Sequence, residues 1–154
     1  MGYTHYWTFE PNKVKDTEEL RRKFKRSSNL IKKFVKFVNA DRDKCDYTIR
    51  GGLGKGKPIF NDTEIWFNGD ESQGLDHETF QIHWNRPNYH GKWNDFCKTA
   101  RKPYDLIVCF ALLVFADTFG EDVFQYCSDG TEEDWKEAYN LYECFTGKKP
   151  IKLK

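Results

Sequence analysis

The chain has no apolar run long enough to cross a bilayer. Its most hydrophobic stretch, Leu106 to Ala116, falls well short of the roughly 20 residues a spanning helix needs. The opening residues lack the apolar h-region of a secretory leader. A surplus of charge is missing as well. The 25 Lys and Arg against 24 Asp and Glu leave a formal net charge of +1, which argues against indiscriminate duplex binding, a mode that runs on excess cations. Cysteine is sparse and odd in number: Cys45, Cys97, Cys109, Cys127 and Cys144. With no Cys-x-x-Cys among them, the expectation is reduced, mostly buried thiols and no disulfide framework. Internal repeats and low-complexity linkers are absent, so one domain is expected over residues 1–147, followed by a loose basic tail, 148–154.

The familiar catalytic signatures are missing too. There is no Gly-x-Ser-x-Gly elbow, no His-Glu-x-x-His helix and no dinucleotide fingerprint. His77, His83 and His90 do not fall at close helical spacing, so no metal is expected, and Asp76-His77-Glu78 reads as a polar loop. No cofactor is expected either. Gly51 to Pro58 imitates a phosphate loop, but Pro58 stands where the metal-binding hydroxyl belongs, and the segment reads as a flexible hairpin connection.

Aromatic residues are abundant: five Trp, eight Tyr and thirteen Phe. They serve either as core or as walls for a planar ligand. Tyr3, His5, Trp7 and Phe9 alternate on one face of an opening strand. A long helix follows from a cap at Asp16 or Thr17 to about Asn39, with Leu20, Phe24, Ile31 and Phe34 inward and a basic outer face; Ser27-Ser28 is a place for it to bend. Strands are expected over Cys45–Arg50, Glu64–Gly69, Thr79–Trp84 and Asp122–Cys127. Asn85–Asn94 reads as a surface loop. A last helix begins at Thr131, with Asp134 closing a capping box, and stops at Gly147. The order β-α-β-β-β-α-β-α predicts an α+β fold. Its sheet has about five strands, antiparallel or mixed, with helices against one face.

The rest turns on one stretch, Phe96 to Asp105, which runs into the apolar segment. Pro103 suits the first position of a helix and Asp105 the positive end of its dipole. Amides left free there, with Lys98, Arg101 and Lys102 beside them and Thr99 as a further donor, suit an anion. Tyr3, His5, Trp84 and Tyr104 are the candidates to frame a base or ribose. Cys97 beside Lys98 is a candidate for a lowered thiol pKa.

Several segments together resemble a family of small bacteriophage-encoded proteins: Met1-Gly2-Tyr3-Thr4-His5-Tyr6-Trp7, Phe67-Asn68-Gly69, Glu78-Thr79-Phe80, the run Phe96 to Asp105, and Ser128-Asp129-Gly130 with Trp135. The likeness implies a phage origin and action in the cytoplasm of an infected cell. It supplies no activity. By analogy with phage countermeasures, the expected partner is a phosphorylated, nucleotide-like small molecule of host defence signalling, bound and sequestered. Neither a membrane nor a specific nucleic acid sequence is expected as a partner, and a homo-oligomer stays open. The rival readings are a hydrolase of the same ligand with His5 as general acid or base, and an inhibitor that docks on a host protein.

Overall fold

The structure is a computed structural model that describes residues 2–40, 47–87 and 93–154. Cys45 and His90, with parts of the strand expected over Cys45–Arg50 and of the loop expected over Asn85–Asn94, lie outside the described residues. The fold is α+β, with three helices and two antiparallel sheets. β1 (Thr4–Phe9) is the centre of a three-stranded sheet, flanked by β6 (Asn94–Lys98) and β7 (Phe124–Ser128). In the second sheet β4 (Glu64–Gly69) pairs with β2 (Ile49–Arg50), β3 (Ile59–Phe60) and β5 (Phe80–His83). Trp7 and Phe80, with ring centroids 4.9 Å apart, join the two sheets.

α1 (Thr17–Val38) starts where Asp16 accepts from the amides of Glu18 and Glu19. It runs unbroken through Ser27-Ser28, the weak spot in its sequence. Ser27 Oγ donates to the Lys23 carbonyl and Ser28 Oγ to the Asn61 carbonyl, so both buried hydroxyls are satisfied and Ser28 fastens α1 to the chain before β4. α2 (Asp105–Phe119) is apolar all round, and that demands burial on all sides. It packs against α1, α3 (Glu132–Thr146) and β7. The rings supply much of this core. Phe34 stacks on Phe110 with centroids 3.7 Å apart, and Phe9, Phe24, Phe115, Phe119 and Phe124 form a second cluster.

Three features depart from the sequence reading. β6 occupies residues assigned to a loop and to the run before the helix. Its partner β1 supplies the pairing, with Tyr6 opposite Phe96, and no strong local alternation announces it. β2 and β3 do not form a hairpin across Gly51–Pro58, because both pair with β4. The tail is tied down: Tyr126 donates to the Ile151 carbonyl, Tyr139 Oη accepts from the Leu153 amide at 2.9 Å, and Ile151 and Leu153 are half-buried.

α3 carries the full capping box: the Thr131 side chain accepts from the Asp134 amide, and the Asp134 carboxylate accepts from the Thr131 amide at 2.8 Å. The Thr131 amide, then Arg101 at 3.1 Å, hold the Asp134 carboxyl below the usual 3.8. A carboxyl depressed by folding stabilises the native state above its unfolded pKa and loses that contribution as pH falls through its folded pKa. Asp134→Ala is therefore expected to lower stability in urea titrations at neutral pH. The gap to the wild-type protein should close only below the ordinary carboxylate range.

Candidate functional site

Residues far apart in the chain meet around the first residues of β1. His5 has no exposed surface. Its Nδ1 lies 2.7 Å from Ser128 Oγ at the end of β7, and its Nε2 lies 2.6 Å from Asp105 Oδ1 in the first turn of α2. Thr99 Oγ1 donates to the same Asp105 oxygen at 2.5 Å. Cys109, one turn along α2 from Asp105, places its Sγ 3.6 Å from Asp105 Oδ2 and 3.6 Å from His5 Nε2. The residues i and i+4 of a helix share a face, which explains why that pair is brought together.

The protons in this cluster can be assigned by counting. Ser128 Oγ accepts from the Gly130 amide at 2.8 Å and from Trp135 Nε1 at 3.1 Å, which uses both of its lone pairs. Its own hydrogen then points at His5 Nδ1, so the imidazole proton sits on Nε2 and is donated to Asp105. His5, Thr99 and Cys109 all aim hydrogens at one carboxylate, whose side chain is 21% exposed. The start of α2 adds its positive dipole end. A Cβ on Gly130 would stand 2.2 Å from Tyr3 Oη, so any larger residue there has to displace the Tyr3 ring. Asp129 completes the corner by accepting from the Thr4 amide and Tyr6 Oη.

The turn before α2 is strained. Ala100 and Arg101 adopt φ of 52° and 60°, a left-handed pair outside glycine. The amides of Thr99 and Ala100 both donate to the Tyr3 carbonyl and hold the turn against β1. Left-handed backbone costs a residue with a Cβ about 1–2 kcal/mol. Ala100→Gly is therefore expected to raise stability by about 1 kcal/mol, read as a higher Tm or urea midpoint.

The residues singled out from the sequence divide into separate groups. Tyr3, His5, Thr99 and Arg101 belong to this corner. The Arg101 guanidinium lies over the Tyr3 ring at 4.0 Å and pairs with Asp134. Lys102 Nζ turns away to the Gly74 carbonyl at 3.0 Å, and the stem of Lys98 lies against Gly2. Tyr104 is buried, its hydroxyl donating to the Glu78 carbonyl at 2.6 Å. Trp84 sits beyond the other sheet, bonded to the Asp62 carbonyl and covered by Arg21. The amides of Asp105, Leu106 and Ile107 donate to the carbonyls of Lys102, Pro103 and Tyr104, so the first turn closes on itself. Cys97 is fully buried, and burial pushes its thiol pKa up rather than down. Of the cysteines expected to be mostly buried, Cys97 and Cys109 are buried, and Cys127 and Cys144 are exposed.

Sequence reasoning did not gather Asp105, Cys109 and Ser128 into a cluster with His5. The spacing of Asp105 and Cys109 was its one local sign. His5 lies 100 residues from Asp105 and 123 from Ser128.

A second site lies on the helical side. A groove of 710 Å³ runs between α1 and the C-terminal ends of α2 and α3. Arg22, Lys25, Arg26 and Lys33 line one wall, all exposed, and Lys148 stands opposite. Asp117 is the one carboxylate in the lining, and Lys148 Nζ pairs with it at 3.4 Å. Among the described residues, none of the four α1 cations has a carboxylate within ion-pair distance. Leu30 and Phe145 add apolar surface. Arg22 and Arg26 are four residues apart, and like charges at that spacing destabilise a helix by about 0.2–0.5 kcal/mol per pair.

No protein-family model, curated protein or solved structure gives a significant match to this chain.

Proposed function

We propose that the protein binds a phosphate-bearing, nucleotide-like small molecule in the groove beside α1 and holds it without cleaving it. The observation that carries this reading is the concentration of cations there. A chain of net charge +1 places five of them around one concave surface with a single, already paired, carboxylate. Phosphate oxygens would relieve the repulsion along α1 and form charge-assisted hydrogen bonds with the two arginines. Phe145 and Leu30 offer the apolar contact that a base or ribose needs, and the volume suits a small molecule. In the phage setting implied by the resemblance, the use of such a protein is to sequester a host signalling nucleotide.

Binding is favoured over hydrolysis because His5, the candidate acid or base, is enclosed with both ring nitrogens bonded. A general base must come within hydrogen-bond reach of the proton it takes. The test is thermal shift with inorganic pyrophosphate, inorganic triphosphate and a panel of nucleotides, followed by mass spectrometry of small molecules released by heat. The expected result is a Tm that rises with phosphate number, falls back with added salt, and returns the ligand intact. A Tm indifferent to every phosphate compound ends the proposal, and a cleaved product ends its non-catalytic form.

A further inference from the structure

His5, Asp105 and Cys109 offer one imidazole nitrogen, one carboxylate and one thiol with all ligand atoms within 4.8 Å of one another. From this geometry we infer that the corner of β1 and α2 is a binding site for a divalent transition metal ion of the zinc class. The site is distinct from the anion groove and does not depend on it.

The spacing is the first reason. A tetrahedral ion with metal–sulfur bonds of about 2.3 Å and metal–nitrogen or metal–oxygen bonds of about 2.0–2.1 Å sets its sulfur and its nitrogen or oxygen ligands about 3.5 Å apart. Cys109 Sγ already lies 3.6 Å from His5 Nε2 and 3.6 Å from Asp105 Oδ2. The third edge, from His5 Nε2 to Asp105 Oδ2, stays within the same 4.8 Å, and the 2.6 Å hydrogen bond that His5 makes to the other oxygen, Oδ1, gives way to the ion. The donor set is the second reason. A mixed sulfur, nitrogen and oxygen site suits Zn²⁺ or Co²⁺, and repels the oxygen-seeking Mg²⁺ and Ca²⁺. Charge is the third. A thiolate and a carboxylate cancel the two positive charges, so the buried site is neutral when filled. Asp105 and Cys109 are fixed on one face of α2, while Thr99 holds the carboxylate and Ser128 the ring, the outer contacts a metal site requires. Asp105, its side chain 21% exposed beside a fully buried His5, is the ligand through which an ion would enter.

Binding releases one proton per ion, from the Cys109 thiol. The imidazole proton moves from Nε2 to Nδ1 and turns the Ser128 bond around. Ser128 Oγ then faces three N–H donors, and the longest contact, 3.1 Å from Trp135 Nε1, gives way.

The experiment is a Co²⁺ titration of chelator-treated full-length protein in phosphate-free buffer. It is expected to show one equivalent bound, the visible bands of tetrahedral Co²⁺, and a near-ultraviolet thiolate-to-metal charge-transfer band. Cys109→Ser should lose the charge-transfer band, and Cys127→Ser, at an exposed cysteine whose side chain leaves β7 on the face opposite Ser128, should keep it. A second reading needs no variant: Zn²⁺ should raise the wild-type Tm, and chelator should return it. The inference is overturned if the wild-type protein shows no charge-transfer band, if that band survives in Cys109→Ser or disappears in Cys127→Ser, or if Zn²⁺ leaves the Tm unmoved. Thermal shifts with triphosphate in the same chelator-treated protein report on the groove separately.

Discussion

Asp105→Ala is expected to destabilise the chelator-treated protein by about 3 kcal/mol. The carboxylate is where His5, Thr99 and Cys109 send their hydrogens. Deleting it strands the Nε2–H of a fully buried imidazole and a fully buried threonine hydroxyl. Each buried donor left without an acceptor costs about 1–3 kcal/mol. The partial exposure of Asp105 admits some water and keeps the total from the upper end of that range. Asp105→Asn separates the acceptor from its charge. Its carbonyl oxygen still takes the bonds from His5 and Thr99, so the loss should be nearer 1 kcal/mol. Urea unfolding of the two variants makes the measurement. Equal losses would mean that charge, and not the count of acceptors, holds the corner together.

The second large effect concerns the groove. Arg26→Glu with Lys33→Glu is expected to weaken triphosphate binding on the order of 100-fold, about 3 kcal/mol. Two charge-assisted contacts are lost and two repulsive carboxylates take their place on the same wall. Lys32→Glu with Lys36→Glu is the control. It changes net charge by the same amount on exposed positions of the same helix, outside the groove lining. Long-range attraction alone would make the two pairs equivalent, with both effects vanishing together at high salt. A local site makes only the first pair severe. Calorimetry at two salt concentrations distinguishes these results.

Within α1 the residues that matter for both its burial and its groove are periodic. Phe24, Ile31 and Phe34 repeat on one side, and Arg22, Lys25, Arg26 and Lys33 lie along another. The sequence therefore revealed the helix and its basic face. It did not reveal that this face looks into a concavity, because the opposite wall comes from Asp117 to Thr118 and Tyr142 to Lys148, more than eighty residues later. Five of the eight binding candidates drawn from the sequence, Lys98, Thr99, Arg101, Lys102 and Tyr104, are close neighbours in the chain. Folding then gave Lys98, Arg101 and Lys102 different partners, since a turn with two left-handed residues fans successive side chains apart.

By itself the sequence determined the caps of α1 and α3, the buried character of α2, the inward face of β1 and the α+β class. All of these follow from period, capping chemistry and the apolar content of short segments. Only the tertiary structure decided that β6 pairs beside β1, that the tail packs down, and that His5 reaches both Asp105 and Ser128. Those contacts join segments that no local pattern links. Their free energy comes from burying and hydrogen-bonding groups separated by anything from 14 to 123 residues, and that exists only once the chain has closed around α2.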